Sequence, residues 1–267
     1  MRSPRDDRPA VVAQGPAPRA TVRRVLWNGA EVAVTLGLVV LLLVVHQLWW
    51  TNREAKAGAD RQVQALEHQW QEPSGAASTH DPGADETGDA DPTVPAATPD
   101  SNAPPTPSAN RPAPTPDWDQ AYAILGIPRL GLRAPVAQGI SKSAVLNQGY
   151  VGHYPATAQP GRPGNFALAG HRNTHGEPFR YINRLRRGDT LTVETRSASY
   201  TYVVDKTLAQ TSAGDGGVID PVPRSRVVPG AGYSDPGYYI TLTTCTPEFT
   251  SKYRLIVWGK LSAMRPR

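Results

Sequence analysis

The chain has 267 residues and carries 28 lysines and arginines against 23 acidic residues, a formal charge of +5, so one or two domains are possible. Its single cysteine, Cys245, excludes a disulfide within the chain and a multi-cysteine metal cluster, and no His-Glu-x-x-His spacing offers another metal site.

Residues 1–24 are polar and hold six arginines (2, 5, 8, 19, 23 and 24) beside Asp6 and Asp7, which reads as a cytoplasmic tail. Residues 25–50 form a candidate transmembrane helix. Its core from Val32 to Trp50 is 19 residues without a formal charge, close to the roughly 20 that cross a bilayer. Trp27, Trp49 and Trp50 suit the two interfaces. Basic residues are denser before the span than after it, where only Arg53, Lys56 and Arg61 follow closely. The N-terminus is therefore expected in the cytoplasm and the rest outside, as a single-pass protein of the cell membrane. The competing reading is a cleaved signal peptide, since Ala55-Lys56-Ala57 has the small-x-small form of a cleavage site. The length of the apolar segment and its terminal tryptophans favour an uncleaved anchor.

Residues 51–72 suggest a polar juxtamembrane helix in which Val63, Leu66 and Trp70 share one face; the expectation is a solvated helix. Residues 73–116 are rich in proline, serine and threonine, with Val94 as the only large apolar side chain. Such a segment cannot bury a core and reads as a disordered tether, with a reach of roughly 35–40 Å as a flexible coil. The remaining segment, 117–267, holds 18 basic and 10 acidic residues, a net +8. A basic extracytoplasmic domain suits an anionic wall or membrane surface. No nucleic-acid-binding motif accompanies that charge, so no nucleic-acid partner is expected.

Within 117–267, Tyr122 to Ile127 and Leu130 to Val136 read as short strands, and Ser141 to Gly149 as one or two helical turns. A glycine- and proline-dense stretch from Gly149 to Asn165 reads as loop. Phe166 to His171 is a buried strand ending in histidine, and Pro178 to Leu185 suits a single helix. Thr190 to Arg196 and Tyr200 to Leu208 alternate as a hairpin. Thr211 to Gly237 is a long polar loop, and two strands close the chain around Cys245 and Arg254. About eight short strands and little helix point to an all-β class and a closed barrel.

Cys245 ends a period-two run, and Arg254 opens the next run nine residues later. Antiparallel pairing of the two would bring a thiol beside a fixed cation, which favours thiolate and can hold an oxyanion. The plainer alternative is a small buried hydrophobe, the usual role of free cysteine. An exported domain has little use for an idle thiol, because oxidation is a liability there. Thiol catalysis also needs a proton-transfer group. His171 at a strand end is the candidate, with His153 and His175 able to be structural.

The segments FALAGHRNTHGEPF and TLTTCTPEFTSKYRLIVWGKL together resemble the paired signature of the sortases, and GHYPATAQPGRPGN resembles the loop before that family's histidine. The resemblance covers roughly 123–261 and is strongest to class E. It implies a sortase-type β-barrel with one or two short helices, with Cys245 as nucleophile, His171 as proton-transfer partner and Arg254 as transition-state stabiliser. It places Thr244 at the rim of the active site and lets the loop from Thr211 to Gly237 wall a substrate groove. It further implies a transpeptidase that cuts a C-terminal Leu-Ala-x-Thr-Gly-like signal of surface proteins between threonine and glycine. The acceptor would be an amine of a peptidoglycan precursor or a protein lysine, and no cofactor or metal is implied. Two rivals stand beside this. An L,D-transpeptidase would need a Ser-His-Gly-Cys cluster, which is absent; a non-catalytic, membrane-tethered β-domain would bind the anionic wall through its charge.

Overall fold

The computed structural model describes residues 18–72 and 116–267. Most of the expected cytoplasmic tail and of the expected linker 73–116 lie outside the described residues. The chain divides into two units, Met1–Arg53 and Glu54–Arg267.

The first unit contains most of helix α1 (Pro18–Gln71). Large apolar side chains from Val25 to Trp50 stay 47–73% exposed. Among the described residues this helix is long and apolar enough to cross a membrane, a candidate for a single span. Thr35 and Thr51 donate their hydroxyls to the carbonyls of Glu31 and Gln47 four residues back, leaving neither hydroxyl without a partner.

The second unit is a closed eight-stranded barrel together with the C-terminal part of α1. Its strands are β1 (Ala121–Ile127), β2 (Leu132–Gln138), β3 (Val151–His153), β4 (Gly164–Ala169), β5 (Thr190–Thr195), β6 (Ala198–Ser212), β7 (Tyr238–Thr246) and β8 (Tyr253–Pro266). They close in the order β1-β2-β3-β4-β7-β8-β6-β5. Only β2–β3 and β4–β7 pair in parallel. Alternation sorts the side chains. Ile240 and Leu242 of β7 and Leu255 and Val257 of β8 join Leu125, Phe166, Leu168 and Val193 in the interior. The neighbours Tyr239, Ile256 and Trp258 point outward into a second apolar cluster.

That outer cluster is covered by the segment between β6 and β7. Val218 seats against Trp258 and its carbonyl accepts from Trp258 Nε1 (3.1 Å). Tyr233 stacks on Tyr239 with ring centroids 4.3 Å apart. The expected long polar loop therefore owes its order to apolar anchors, and it includes a 3₁₀ turn at Gly216–Ile219.

Four local expectations differ from the structure. Val151–His153, read as loop, is β3, because three pairing residues suffice to bridge β2 and β4. Ser141 to Gly149 and Pro178 to Leu185 form only turns and the 3₁₀ pieces Leu146–Gln148 and Ile182–Arg184. β6 and β8 extend well past the predicted ends, since they pair with each other along most of their lengths. Finally, the juxtamembrane stretch is not solvated. Ala59, Val63 and Leu66 are at most 6% exposed, and Val63 and Leu66 pack with Ala121 and Ile124 of β1, Ala137 of β2 and Val145. Two small residues on that face, Ala55 and Ala59, allow close approach, and an apolar count alone undervalues them.

Candidate active site

Cys245 and Arg254 are direct partners in the β7–β8 ladder. Paired residues share a face. Their parity with Tyr239 and Trp258 puts both on the outer face of the barrel. Cys245 is half-buried and is the free cysteine of the chain. Arg254 Nη1 donates to the carbonyls of Ser251 (2.9 Å) and Tyr253 (3.0 Å), so the guanidinium is fixed by its own strand entrance.

His171 reaches the same place from β4. The parallel β4–β7 ladder ends at the pair Ala169 and Thr243, and His171 follows Ala169 by two residues as Cys245 follows Thr243, so both leave the same end of the sheet. The segment past the ladder is held at several points. Gly170 N–H donates to Thr243 O (3.2 Å), Thr244 Oγ1 donates to Gly170 O (2.8 Å) and Phe179 N–H donates to His171 O (3.0 Å). Gly170 is required by packing, since a Cβ there would lie 2.7 Å from the Phe179 ring. Thr244 itself is buried at 3% exposure on the inward parity of β7, so its hydroxyl is committed to Gly170.

The His171 ring donates from Nε2 to Asn147 Oδ1 (2.9 Å), which leaves Nδ1 as the basic nitrogen. Burial holds its pKa below the ordinary histidine value, and the nearby His175 and Lys142 push it the same way. The resting ring is therefore neutral at pH 7 and able to accept a proton. His175 lies with its ring 5.3 Å from that of His171 and has a left-handed backbone (φ 52°).

His153 sits elsewhere. It is fully buried, with Tyr122, Gln138 and Thr157 side-chain atoms each 2.9 Å from its ring nitrogens, and burial pushes its pKa down to about 4. That is a structural hub between β1, β2 and β3.

Two contacts escaped the sequence. Arg172 is only 7% exposed, and its Nη1 donates to Thr246 Oγ1 (2.9 Å) and Cys245 O (3.3 Å), while Glu248 lies 3.7 Å from Nη2. A cation is thus buried beneath the end of the cysteine strand. Asn147, two residues before Gly149, carries only the signature of a turn residue. Neither has a pattern that separates it from an ordinary rim residue.

The Thr211 to Gly237 segment divides in two. Thr211, which pairs with Arg254, donates to Asp215 (2.6 Å), and Asp215 also receives Ser225 Oγ and the Arg226 N–H. This half is at the Cys245 end. Residues 230–237, with Arg224 and Ser225 of the first half, line a cavity of ≈ 730 Å³ together with Lys206, Tyr239 and Lys260, beside the start of β7. Among the described residues, no three His, Cys, Asp or Glu side chains cluster as a metal site.

The profile of the sortase domain matches residues 125–262. Sortase SrtE1 of Streptomyces coelicolor is 43% identical over 242 residues, covering 89% of this chain and 57% of the relative, so the chain spans little more than half of that protein. Sortase SrtE2 of the same organism is 31% identical, covering 86% of this chain and 79% of the relative. The crystal structure of sortase E1 from Streptomyces coelicolor with a tripeptide in the active site superposes with a TM-score of 0.53. It is 52% identical, over 57% of this chain and 94% of that one. The SrtA sortase from Actinomyces oris gives a TM-score of 0.51 at 33% identity, over 60% and 90% of the two chains.

Proposed function

Because the chain belongs to the sortase family, most similar to its class E members, we propose that it is a membrane-anchored cysteine transpeptidase in which Cys245, His171 and Arg254 do the chemistry. The single observation that supports this best is the convergence of two ladders. The β7–β8 register sets Arg254 against Cys245, and the β4–β7 register brings His171 to the same strand end.

The substrate is a surface protein with a C-terminal Leu-Ala-x-Thr-Gly-like signal. The Cys245 thiol gives its proton to the neutral His171 ring as sulfur bonds to the threonyl carbonyl carbon. Charge gathers on the carbonyl oxygen, where Arg254 donates hydrogen bonds. The Thr–Gly C–N bond then breaks, and the His171 imidazolium returns its proton to the departing glycine amine. A thioester remains. An amine of a peptidoglycan precursor attacks it and gives a proton to His171, the C–S bond breaks as the amide forms, and that proton returns from His171 to restore the Cys245 thiol. Thr244 serves this by pinning Gly170, and so the strand end before His171, to β7. The anchor places the N-terminus in the cytoplasm and the barrel outside, at the membrane face where sorting signals wait.

The test is incubation with a Leu-Ala-x-Thr-Gly peptide and a small amine, read by mass spectrometry. Cleavage between Thr and Gly, an acyl adduct on Cys245 and an amide product are expected. A folded chain that binds the peptide but neither cuts it nor forms the adduct would leave the wall-binding domain as the function.

A further inference from the structure

The stretch of α1 from Glu54 to Gln71 presents Ala55, Ala59, Val63, Leu66 and Trp70, spaced by three or four residues, on one face. Val63 and Leu66 meet Ile124 and Ala137 of the barrel, and also Val145 and Leu146, which lead directly into Asn147. Two turns earlier the approach is closer. A Cβ on Gly149 would lie 2.8 Å from the Ala55 carbonyl oxygen, and one on Gly176 would lie 3.3 Å from the Lys56 nitrogen. Gly149 is two residues past Asn147, with φ +80°, and Gly176 directly follows His175. The helix backbone thus closes on both segments that flank His171. One supplies its hydrogen-bond partner, and the other carries the neighbouring ring.

We propose that Glu54–Gln71 is a positioning element of the active site, which seats the Val145–Gly149 segment so that Asn147 Oδ1 holds the His171 ring. This rests on the reading of His171 as the proton-transfer group. A helix that only joined anchor to enzyme would need no glycine against its backbone. Nor would it bury its apolar face beside the residues leading into Asn147. Ala59, one turn on from Ala55 along the same face, is only 6% exposed, so a longer side chain there would lift the helix from the surface it covers.

The test uses the full chain in detergent micelles and a kinetic cycle of wild type, Ala59→Leu, Asn147→Ala and the double variant. Leucine keeps helix propensity while adding bulk at the contact. Ala59→Leu should speed hydrogen exchange across 54–71 and lower kcat about tenfold, with KM within about twofold, because a misplaced catalytic group is lost from the transition state. The double variant should be no slower than Asn147→Ala alone, since both act on one contact. Multiplying effects, unchanged kcat with a freed helix, or unchanged exchange in 54–71 would each overturn the proposal. If Ala59→Leu does not fold, Leu66→Ala removes packing without a wedge and enters the same cycle. His171→Ala separates the two readings. Its activity would sink the catalytic assignment itself, whereas an inactive His171→Ala with a multiplicative cycle would sink only the helix proposal.

Discussion

Cys245 and Arg254 face one another across the β7–β8 ladder, so the thiol and the guanidinium leave the same face of the barrel. Arg254 Nη1 donates to the carbonyls of Ser251 and Tyr253, which holds one end of the guanidinium before any substrate arrives. Arg254→Ala should therefore lower kcat about 10²- to 10³-fold, with KM little changed, as for loss of an oxyanion donor. Arg254→Lys should recover only part, because lysine keeps the charge without the planar fork. An alanine variant retaining more than about a third of the wild-type kcat would show the charge to be incidental to an oxyanion site.

Among the histidines, His171→Ala should abolish turnover and His175→Ala should keep most of it. His153→Ala should fold poorly, since it removes a buried group bonded to three side chains. Steady-state rates alongside thermal melts distinguish these outcomes. An active His171→Ala beside a folded, inactive His153→Ala would reverse the assignment.

The pH dependence of stability has a defined sign. His153 is held near 4 by burial, below its unfolded value of about 6.5, so the unfolded chain binds a proton that the native one refuses. Stability should be full above about pH 6.5 and fall as pH drops toward 4, by up to about 3 kcal/mol from this group. His171, shifted in the same direction, adds to the slope. Melting temperatures of the wild type and His153→Gln across that window are the check: the variant should start less stable but show a flatter slope. Equal slopes would remove His153 as the cause.

Peptide selectivity should reside in the first half of the β6–β7 connection. Burial alone would raise the Asp215 pKa, but Ser225, Thr211 and the Arg226 N–H bond its carboxylate and bring it below the ordinary value. Exchanging residues 213–226 for those of a relative with another preference should change the residue accepted at the second position of the signal, with Cys245 still alkylated. Exchanging 230–237, which lines the cavity beside Lys206 and Lys260, should not. The reverse result would move recognition to the other half.

A chain beginning at Asp117 should lose stability relative to one that retains 54–116. Removing the helix uncovers Ile124, Ala137 and Val145 and forfeits the burial of Val63 and Leu66, each worth about 1.5–3 kcal/mol. Denaturant midpoints of the two chains give the comparison. Coincident midpoints would mean the helix packs without contributing.

The barrel and its candidate active site were legible in the sequence to different depths. Short apolar runs located β1 and β4, and alternation located β5 and β7, whose inward positions include Leu191 and Val193, and Ile240 and Leu242. Neither could show β3, three residues long and framed by glycine, whose pairing depends wholly on its neighbours. Cys245, His171 and Arg254 could be picked out because each sits where an apolar run meets a polar one. Arg172 and Asn147 could not, since a buried arginine and a turn asparagine acquire their contacts only from the folded chain. The packed face of Glu54–Gln71 was half visible in Val63, Leu66 and Trp70. Its alanines do the rest through closeness, which no count of apolar residues registers.

Closure of the barrel also limits how a peptide can be read. Each strand of the closed barrel has a neighbour on both sides over part of its length, which leaves only short stretches, such as the outer half of β6, open to an added strand. The backbone of a sorting signal is then met mainly by side chains that stand out from β4 and β7 and by the connections around them. Preference can then drift through surface exchanges alone, while the hydrogen-bonded frame that aligns Cys245, His171 and Arg254 stays untouched.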